Sequence, residues 1–448
     1  MNLNPTSPLD KAIKAMRTGN GYAAQGNDAV AIPYYQQAVK LASDFADAWA
    51  NRGLAEARLR LNKAARTSLM RAAELMQENP NALNKISNQV FTLLELEDAA
   101  MCYLSVTKAD PLFSNACSNM GNTNLQLLKF DDAITAYERA IAIDPNHADA
   151  RNGYAQALLI NGNFKRGWAA YEARFDAPNA PSRRTFSSPQ WSGQNLDGKS
   201  ILLYAEQGIG DTIQFLRFTR QVKNKNTQVI IECQKNIRSL VALSPNVDHA
   251  ITPDDEPPQT DFHAPLMSFP YLLGLIDSLS LQSPPYIKIE NSEKKKPTKP
   301  RIGLVWAGNP DHINDANRSI PLIKFSPLLE CPEFNFVSLQ VGPARFQIQN
   351  TPDLTDLGKH FNSFTDSAKA ITKLDLLITA DTAIAHLAGA MGCPCWVLIP
   401  HVPDWRWMYE RTDTLWYSSL RLFRQSQRSN WDAVITDVSA VLDTLYKR

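Results

Sequence analysis

Small and apolar residues in the first part of the chain fall at helical spacing, and that pattern itself repeats every 34 residues. Units open near Ala12, Ala46, Pro80, Ser114 and Ala148, with no insertion between them. Their eighth position reads Gly19, Gly53, Ser87, Gly121 and Ala155, and their twentieth Ala31, Ala65, Ala99, Ala133 and Gly167. The twenty-fourth is bulky: Tyr35, Leu69, Tyr103, Tyr137 and Tyr171. Small residues belong where two helices cross closely, and a ring or a leucine fills the adjoining gap, so these tyrosines are expected in the core. Ala38, Ala72 and Ala140 add a late small contact, from which Val106 and Arg174 depart. Pro111 and Pro145 close the second helix of their units. Each unit predicts two antiparallel helices.

After Arg174 the helical period stops, and residues 177–198, rich in Pro, Ser, Asn and Gly, read as a linker. Short apolar runs then alternate with helical patterns: Ile201–Ala205, Gln228–Cys233 and Asp261–Leu266 as strands, with helices to about Lys223 and over Ile237–Leu243. The Lys- and Pro-rich stretch Glu293–Pro300 is a second boundary, beyond which strands are expected at Arg301–Ala307, Phe334–Gln340, Leu374–Ala380 and Trp396–Ile399. Apolar strands alternating with helices predict parallel sheets covered on both faces. The expected domains are 1–180, an α solenoid with five repeats from about residue 12, then two α/β halves over 181–297 and 298–448.

Composition narrows the class. Lys and Arg total 46 against 45 Asp and Glu, which excludes a broadly basic surface for nucleic acid. Six cysteines are too few for a disulfide scaffold. The N-terminus lacks a secretory pattern, and no apolar run reaches the roughly 20 residues a bilayer span needs. A cytoplasmic protein with no integral membrane segment and no nucleic-acid partner is the expectation.

Two constellations sit at strand ends. In Tyr204-Ala205-Glu206-Gln207-Gly208-Ile209-Gly210-Asp211-Thr212 a strand stops, Gly208 and Gly210 permit a tight turn, and a helix begins near Asp211. Its exposed amides suit an anion or a sugar, whereas Asp211 alone also reads as an ordinary first-turn carboxylate. In Ile378–Pro394 a buried strand ends at Asp381, and a small-residue helix runs from Thr382 to Gly392. Its free amides at Asp381, Thr382 and Ala383 suit a diphosphate, with His386 one turn further on. Taken alone, Asp381 is a cap and His386 a core histidine.

The 34-residue units resemble the tetratricopeptide repeat family, which implies a right-handed solenoid with a concave face. There Asn51, Asn84, Asn119 and Asn152 are placed to hold a peptide or protein partner. Residues 198–448 resemble glycosyltransferases of the GT-B fold, two Rossmann-like halves around a cleft. The closest likeness is to ADP-heptose:lipopolysaccharide heptosyltransferases, and a looser one is to O-GlcNAc transferases that carry tetratricopeptide repeats. The motifs are Gly210-Asp211, Arg301–Gly308 followed by Asn317–Pro321, and Asp381-Thr382 through His386-Leu387-Ala388 to Gly392-x-Pro394.

The resemblance implies an inverting, metal-independent transfer from a nucleotide-sugar substrate, with no cofactor. Asp211 matches the general base, and Arg318, Asp381, Thr382, Ala383 and His386 match the donor diphosphate site. Gln207, Gly208 and Gly210 lie on the acceptor or sugar side. Trp306 either stacks on the nucleotide base or packs in the core. The segment His401–Trp407 departs from the heptosyltransferases and reads as a sugar or peptide platform or a packed lid, which puts heptose and lipopolysaccharide in doubt as substrates. The solenoid points instead to a polypeptide acceptor. The alternatives are a scaffold whose transferase-like domain is non-catalytic, and a nucleotide-binding sensor.

Overall fold

The computed structural model describes residues 7–176, 180, 183–277, 281, 284–289, 299–351 and 354–446. The expected linker at Glu293–Pro300 lies largely outside these residues, as does part of the one at 177–198. The chain divides into two compact units, Met1–Ala157 and Leu158–Arg448.

The repeats form helix pairs as the period requires. They are α1 (Pro8–Ala24) with α2 (Asp28–Leu41), α3 (Ala46–Arg58) with α4 (Asn62–Leu75), and α5 (Pro80–Thr92) with α6 (Leu96–Ala109). Next come α7 (Ser114–Gln126) with α8 (Phe130–Ile143), and α9 (Ala148–Ile160) followed by α10 (Phe164–Tyr171). The ten small residues at the eighth and twentieth positions are all buried. An ideal Cβ on Gly121 would lie 2.6 Å from the Tyr137 ring, so the glycine sets how closely α7 and α8 approach. Each core tyrosine of the first unit also spends its hydroxyl. Tyr35, Tyr103 and Tyr137 donate to the side-chain oxygens of Asn20, Asn88 and Asn122 at 2.9, 2.6 and 2.6 Å. Asn51 and Asn119 reach back to those same Asn20 and Asn88 oxygens, each at 3.0 Å, so two of the expected peptide-contacting asparagines already stitch neighbouring repeats together.

One position of the repeat escaped sequence reasoning. The fifteenth residue, in the turn between paired helices, has positive φ in every unit: Gly26, Arg60, Leu94, Leu128 and Gly162. Three of the five therefore hold a side chain in left-handed backbone, a cost of about 1–2 kcal/mol each. Leu94→Gly is expected to stabilise the protein by about 1 kcal/mol. Gly121→Ala, forced against Tyr137, is expected to cost about 1–3 kcal/mol. Urea unfolding followed by helical circular dichroism checks both signs.

In the second unit the alternation builds two all-parallel sheets. The first contains β1 (Ser200–Tyr204), β2 (Gln228–Glu232), β3 (His249–Ile251) and β4 (Phe262–Pro265) in the order β3-β2-β1-β4. The second contains β5 (Arg301–Val305), β6 (Asn335–Ser338), β7 (Thr355–Asp356), β8 (Leu376–Ala380), β9 (Cys395–Ile399) and β10 (Leu420–Arg424), ordered β10-β9-β8-β5-β6-β7. This is the doubly wound order, in which connections leave β5 and β8 toward opposite faces and open a crevice at their carboxyl ends. Strands β3, β7 and β10 are additional to those the sequence predicts, and all three are sheet edges. Core side chains such as Leu304, Trp306, Phe325, Leu398 and Val438 cover the second sheet.

Candidate functional site

Two strand exits meet in the second unit. After β1 the chain turns through Glu206-Gln207-Gly208 into the short helix α11 (Ile209–Phe215). The turn is pinned at both ends. Gln234 donates its side-chain amide to the Gln207 carbonyl at 2.7 Å, and the Gly208 amide donates to Asp211 Oδ2 at 2.9 Å. After β8 the chain passes Asp381 and Thr382 into the helix Ala383–Met391. The Thr382 hydroxyl lies 3.3 Å from that of Thr379 and does not cap the helix, and among the described residues no side chain accepts from its first amides.

Gly210 brings these two elements together. An ideal Cβ there would stand 3.0 Å from the His386 ring and 3.4 Å from Ala383 Cα, so a side chain at 210 would crowd the His386 ring and the start of the facing helix. Asp211 thereby sits beside the amino end of the Ala383–Met391 helix. From the exit of β5, Arg318 lies over Gly308, where a Cβ would be 2.7 Å from its guanidinium nitrogen. Its one hydrogen bond among the described residues is a long one, 3.4 Å to Asp315.

The residue that organises this cluster is Arg406, which sequence reasoning did not single out. Its guanidinium donates to Asp211, to Asp404 at 2.8 Å and to Gln214 at 3.0 Å, and stacks 4.2 Å from the Trp405 ring centroid. Burial opposes its charge, but Asp211 and Asp404 prevail and hold it firmly protonated. His312 was also missed: it lies in the field of Arg318, Asp404, Asp315 and Asp211. Its Nδ1 accepts from the Asn314 amide at 3.1 Å, which leaves the neutral ring with a proton on Nε2. Burial and Arg318 lower its basicity.

Tyr171 is the third addition. Unlike the earlier repeat tyrosines, it turns its hydroxyl to Gln207, at 3.5 Å. Beneath it the buried Arg174 donates to Glu206 at 2.7 Å, to Glu172 at 2.6 Å and to Ser268 at 2.8 Å, fixing the loop that carries Gln207 to Asp211. Tyr171 does not stand out in the sequence, because it fills the bulky position of its repeat, whereas Arg174 is visible only as a departure from a small residue, with nothing local to name its partners.

Two expectations need correction or narrowing. Trp306 is fully buried in the core of the second sheet and cannot stack on a base. The His401–Trp407 segment is packed rather than a platform, with Trp405 and Trp407 buried. His386 is buried too, its Nδ1 3.0 Å from the Tyr417 hydroxyl and its ring stacked on Trp407 at 5.1 Å. Burial, with Arg406 and Arg217 nearby, keeps it neutral. Among the described residues no group of three or more His, Cys, Asp or Glu side chains is arranged to hold a metal.

Two carboxyls carry a pH signature. Burial and the Asp404 carboxylate push Asp381 up to about 6, against the pull of Trp407, Arg318 and Arg406. Burial pushes Glu206 up to about 7 despite Arg174. Both are raised, so the folded state binds more protons than the unfolded one between about pH 4 and 7, and their contribution to stability is lost as pH rises through that window. Asp381→Asn and Glu206→Gln are each expected to flatten that fall in a calorimetric melting series. Trp306→Ala is expected to cost about 3–5 kcal/mol of stability, with ligand affinity of the folded fraction unchanged.

Tetratricopeptide repeat family models match residues 16–82, 114–147 and 136–169. Protein FlbA of Caulobacter vibrioides is 25% identical over 374 residues, covering 74% of this chain and 62% of FlbA, so the chain spans less than two thirds of that relative's length. Among solved structures, MamA aligns with 35% of this chain and 91% of its own at 19% identity and a TM-score of 0.31. YrrB, described as a TPR protein with an unusual peptide-binding site, aligns with 37% and 84% at 19% identity and a TM-score of 0.31. The family matches and the helix pairs make the N-terminal part of this chain an array of tetratricopeptide repeats, followed by an α/β region with parallel sheets.

Proposed function

We propose that the α/β region is a glycosyltransferase of the GT-B type, inverting and metal-independent, and that it moves a sugar from a nucleotide-sugar donor to an acceptor hydroxyl. The observation that carries this reading is the meeting of Asp211 with the uncapped amino end of the Ala383–Met391 helix, through the contact of Gly210 on Ala383. The residue we assign as base thus follows directly on the one that touches the helix terminus we assign to the diphosphate, with Arg318 at the neighbouring strand exit.

In this reaction the acceptor oxygen attacks the anomeric carbon and its proton passes to the Asp211 carboxylate. The bond from the anomeric carbon to the phosphate oxygen breaks, and its electron pair leaves on the nucleoside diphosphate. The difficulty is charge gathering on that leaving group. Arg318, whose two terminal nitrogens make no hydrogen bond among the described residues, the amides of Ala383 and Ile384, and the Thr382 hydroxyl meet it. Trp306 has no part in it, and His386 supports the helix from within. The repeats supply the polypeptide side: a helical array of this kind fits a peptide or protein acceptor, or a partner that delivers one.

A second reading, a protein-interaction scaffold with a non-catalytic α/β region, is favoured by one observation: the Asp211 carboxylate is occupied by Arg406.

Titration calorimetry with UDP, ADP and GDP separates the two. At least one is expected to bind, and Arg318→Ala to weaken it tenfold or more, about 1.4 kcal/mol or greater, the loss of a charge-assisted contact. Asp211→Ala is expected still to bind the nucleotide while losing transfer. Folded protein that binds none of the three is the scaffold.

A further inference from the structure

The charges at the site do not balance for an anion. Asp211, Asp315, Asp381 and Asp404 gather around two guanidiniums, those of Arg318 and Arg406. A diphosphate entering this cluster adds further negative charge, so it is held only if a cation changes partners. Arg318 is tied to Asp315 by a single 3.4 Å contact and needs little rearrangement. Arg406 is different. Its guanidinium is committed in three directions, to Asp211 and Gln214 on α11 and to Asp404 on its own loop. It also lies beside the helix whose amino end is open, since Gly210 packs on Ala383 and Arg406 acts on both Asp381 and His386.

Building on the glycosyltransferase reading, we infer that Arg406 is a second anion-binding residue of the site, stored on Asp211 until a diphosphate displaces it. Arg406 meets Asp211 through one terminal nitrogen and one carboxylate oxygen, so a phosphate oxygen can take that single place while the bonds to Asp404 and Gln214 stay as they are. Asp404 keeps hold of one nitrogen during the exchange, and Trp405 keeps the plane of the group covered. The exchange leaves Asp211, among the described residues, with only the Gly208 amide as donor, open to the acceptor hydroxyl. Donor binding thus arms the base, and the acceptor reacts only after the donor is seated. The buried ion pair between Arg406 and Asp211, which by itself suggests a dead site, becomes the resting state of a live one.

The test is a double-mutant cycle on the full chain, reading affinity for inorganic pyrophosphate and for UDP, ADP and GDP by calorimetry. Asp211→Asn releases the guanidinium and is expected to tighten anion binding about tenfold. Arg406→Gln is expected to weaken it by at least as much. In the Arg406→Gln background, Asp211→Asn is expected to gain little, because the cation it would release is gone. A tightening of equal size in both backgrounds is a general charge effect and overturns the exchange. Unchanged affinity in Arg406→Gln makes the arginine a brace between elements and overturns it as well. Should Arg406→Gln fail to fold, Arg406→Lys keeps the charge without the fork and is expected to fall between the two. If neither the wild type nor Asp211→Asn binds any of these anions, the glycosyltransferase reading falls together with the exchange. If the wild type binds and the cycle is additive, only the exchange falls.

Discussion

The second unit depends on one close approach, that of α11 to the Ala383–Met391 helix at Gly210. With no Cβ at 210, the two helices touch at Ala383 and His386, and the exits of β1 and β8 are held within reach of each other. The approach is locked nearby by a buried guanidinium. Arg217, in the turn just after α11, donates to the carbonyls of Gln214, Leu281 and Trp416 at 2.8, 3.1 and 2.6 Å, and it lies 4.4 Å from the Tyr417 ring centroid. A buried cation surrounded by carbonyls and aromatic faces is stable only where each partner is in place, so this arginine fixes position as much as it contributes energy. Tyr286 completes the lock, its hydroxyl donating to the Ile213 carbonyl at 2.8 Å and its amide to Ala390 at 2.9 Å.

How much of this was legible in the sequence follows from what each feature needs. The repeat period was readable because the same packing problem recurs: a small residue at the eighth position must clear a bulky one at the twenty-fourth, and composition has no other way to meet it. The left-handed fifteenth position was hidden, although just as regular. Only Gly26 and Gly162 announce it, while Arg60, Leu94 and Leu128 bear the strain silently. Central strands β1, β2, β5 and β8 were visible as apolar runs because both their faces are covered. The edges β3 and β7 span three and two residues, too short for a pattern to form.

The site divides in the same way. Asp211, Asp381 and Thr382 were found because each follows a strand and opens a helix, a local signal. Arg406 meets Asp211 from 195 positions away, and nothing in either neighbourhood reports the other. Trp306 misled for the opposite reason. It follows a strand toward the ligand end of the sheet, but a large ring at that point is also what closes the core, and burial decides for the core.

The fifth repeat shows how a packing element becomes part of a site. In the first unit the tyrosine hydroxyl is spent on an asparagine of its own repeat, and the array closes on itself. At Tyr171 the corresponding residue of the preceding helix is Gln156, and the hydroxyl turns to Gln207 instead. The α10 helix it belongs to is a full member of the second unit. Trp168 stands edge-on to Phe215, Trp405 and Trp416 at 6.1, 5.4 and 6.4 Å. Arg174, which departs from the small residue of the repeat, is the side chain that grips Glu206. The departures from the repeat pattern at Gln156 and Arg174 are thus where the last repeat stops serving the solenoid and begins to hold the loop of Asp211. A buried Arg174 between two carboxylates adds nothing to the packing of a solenoid core; its hydrogen bonds to Glu172, Glu206 and Ser268 tie the end of the repeat to the loop beside it.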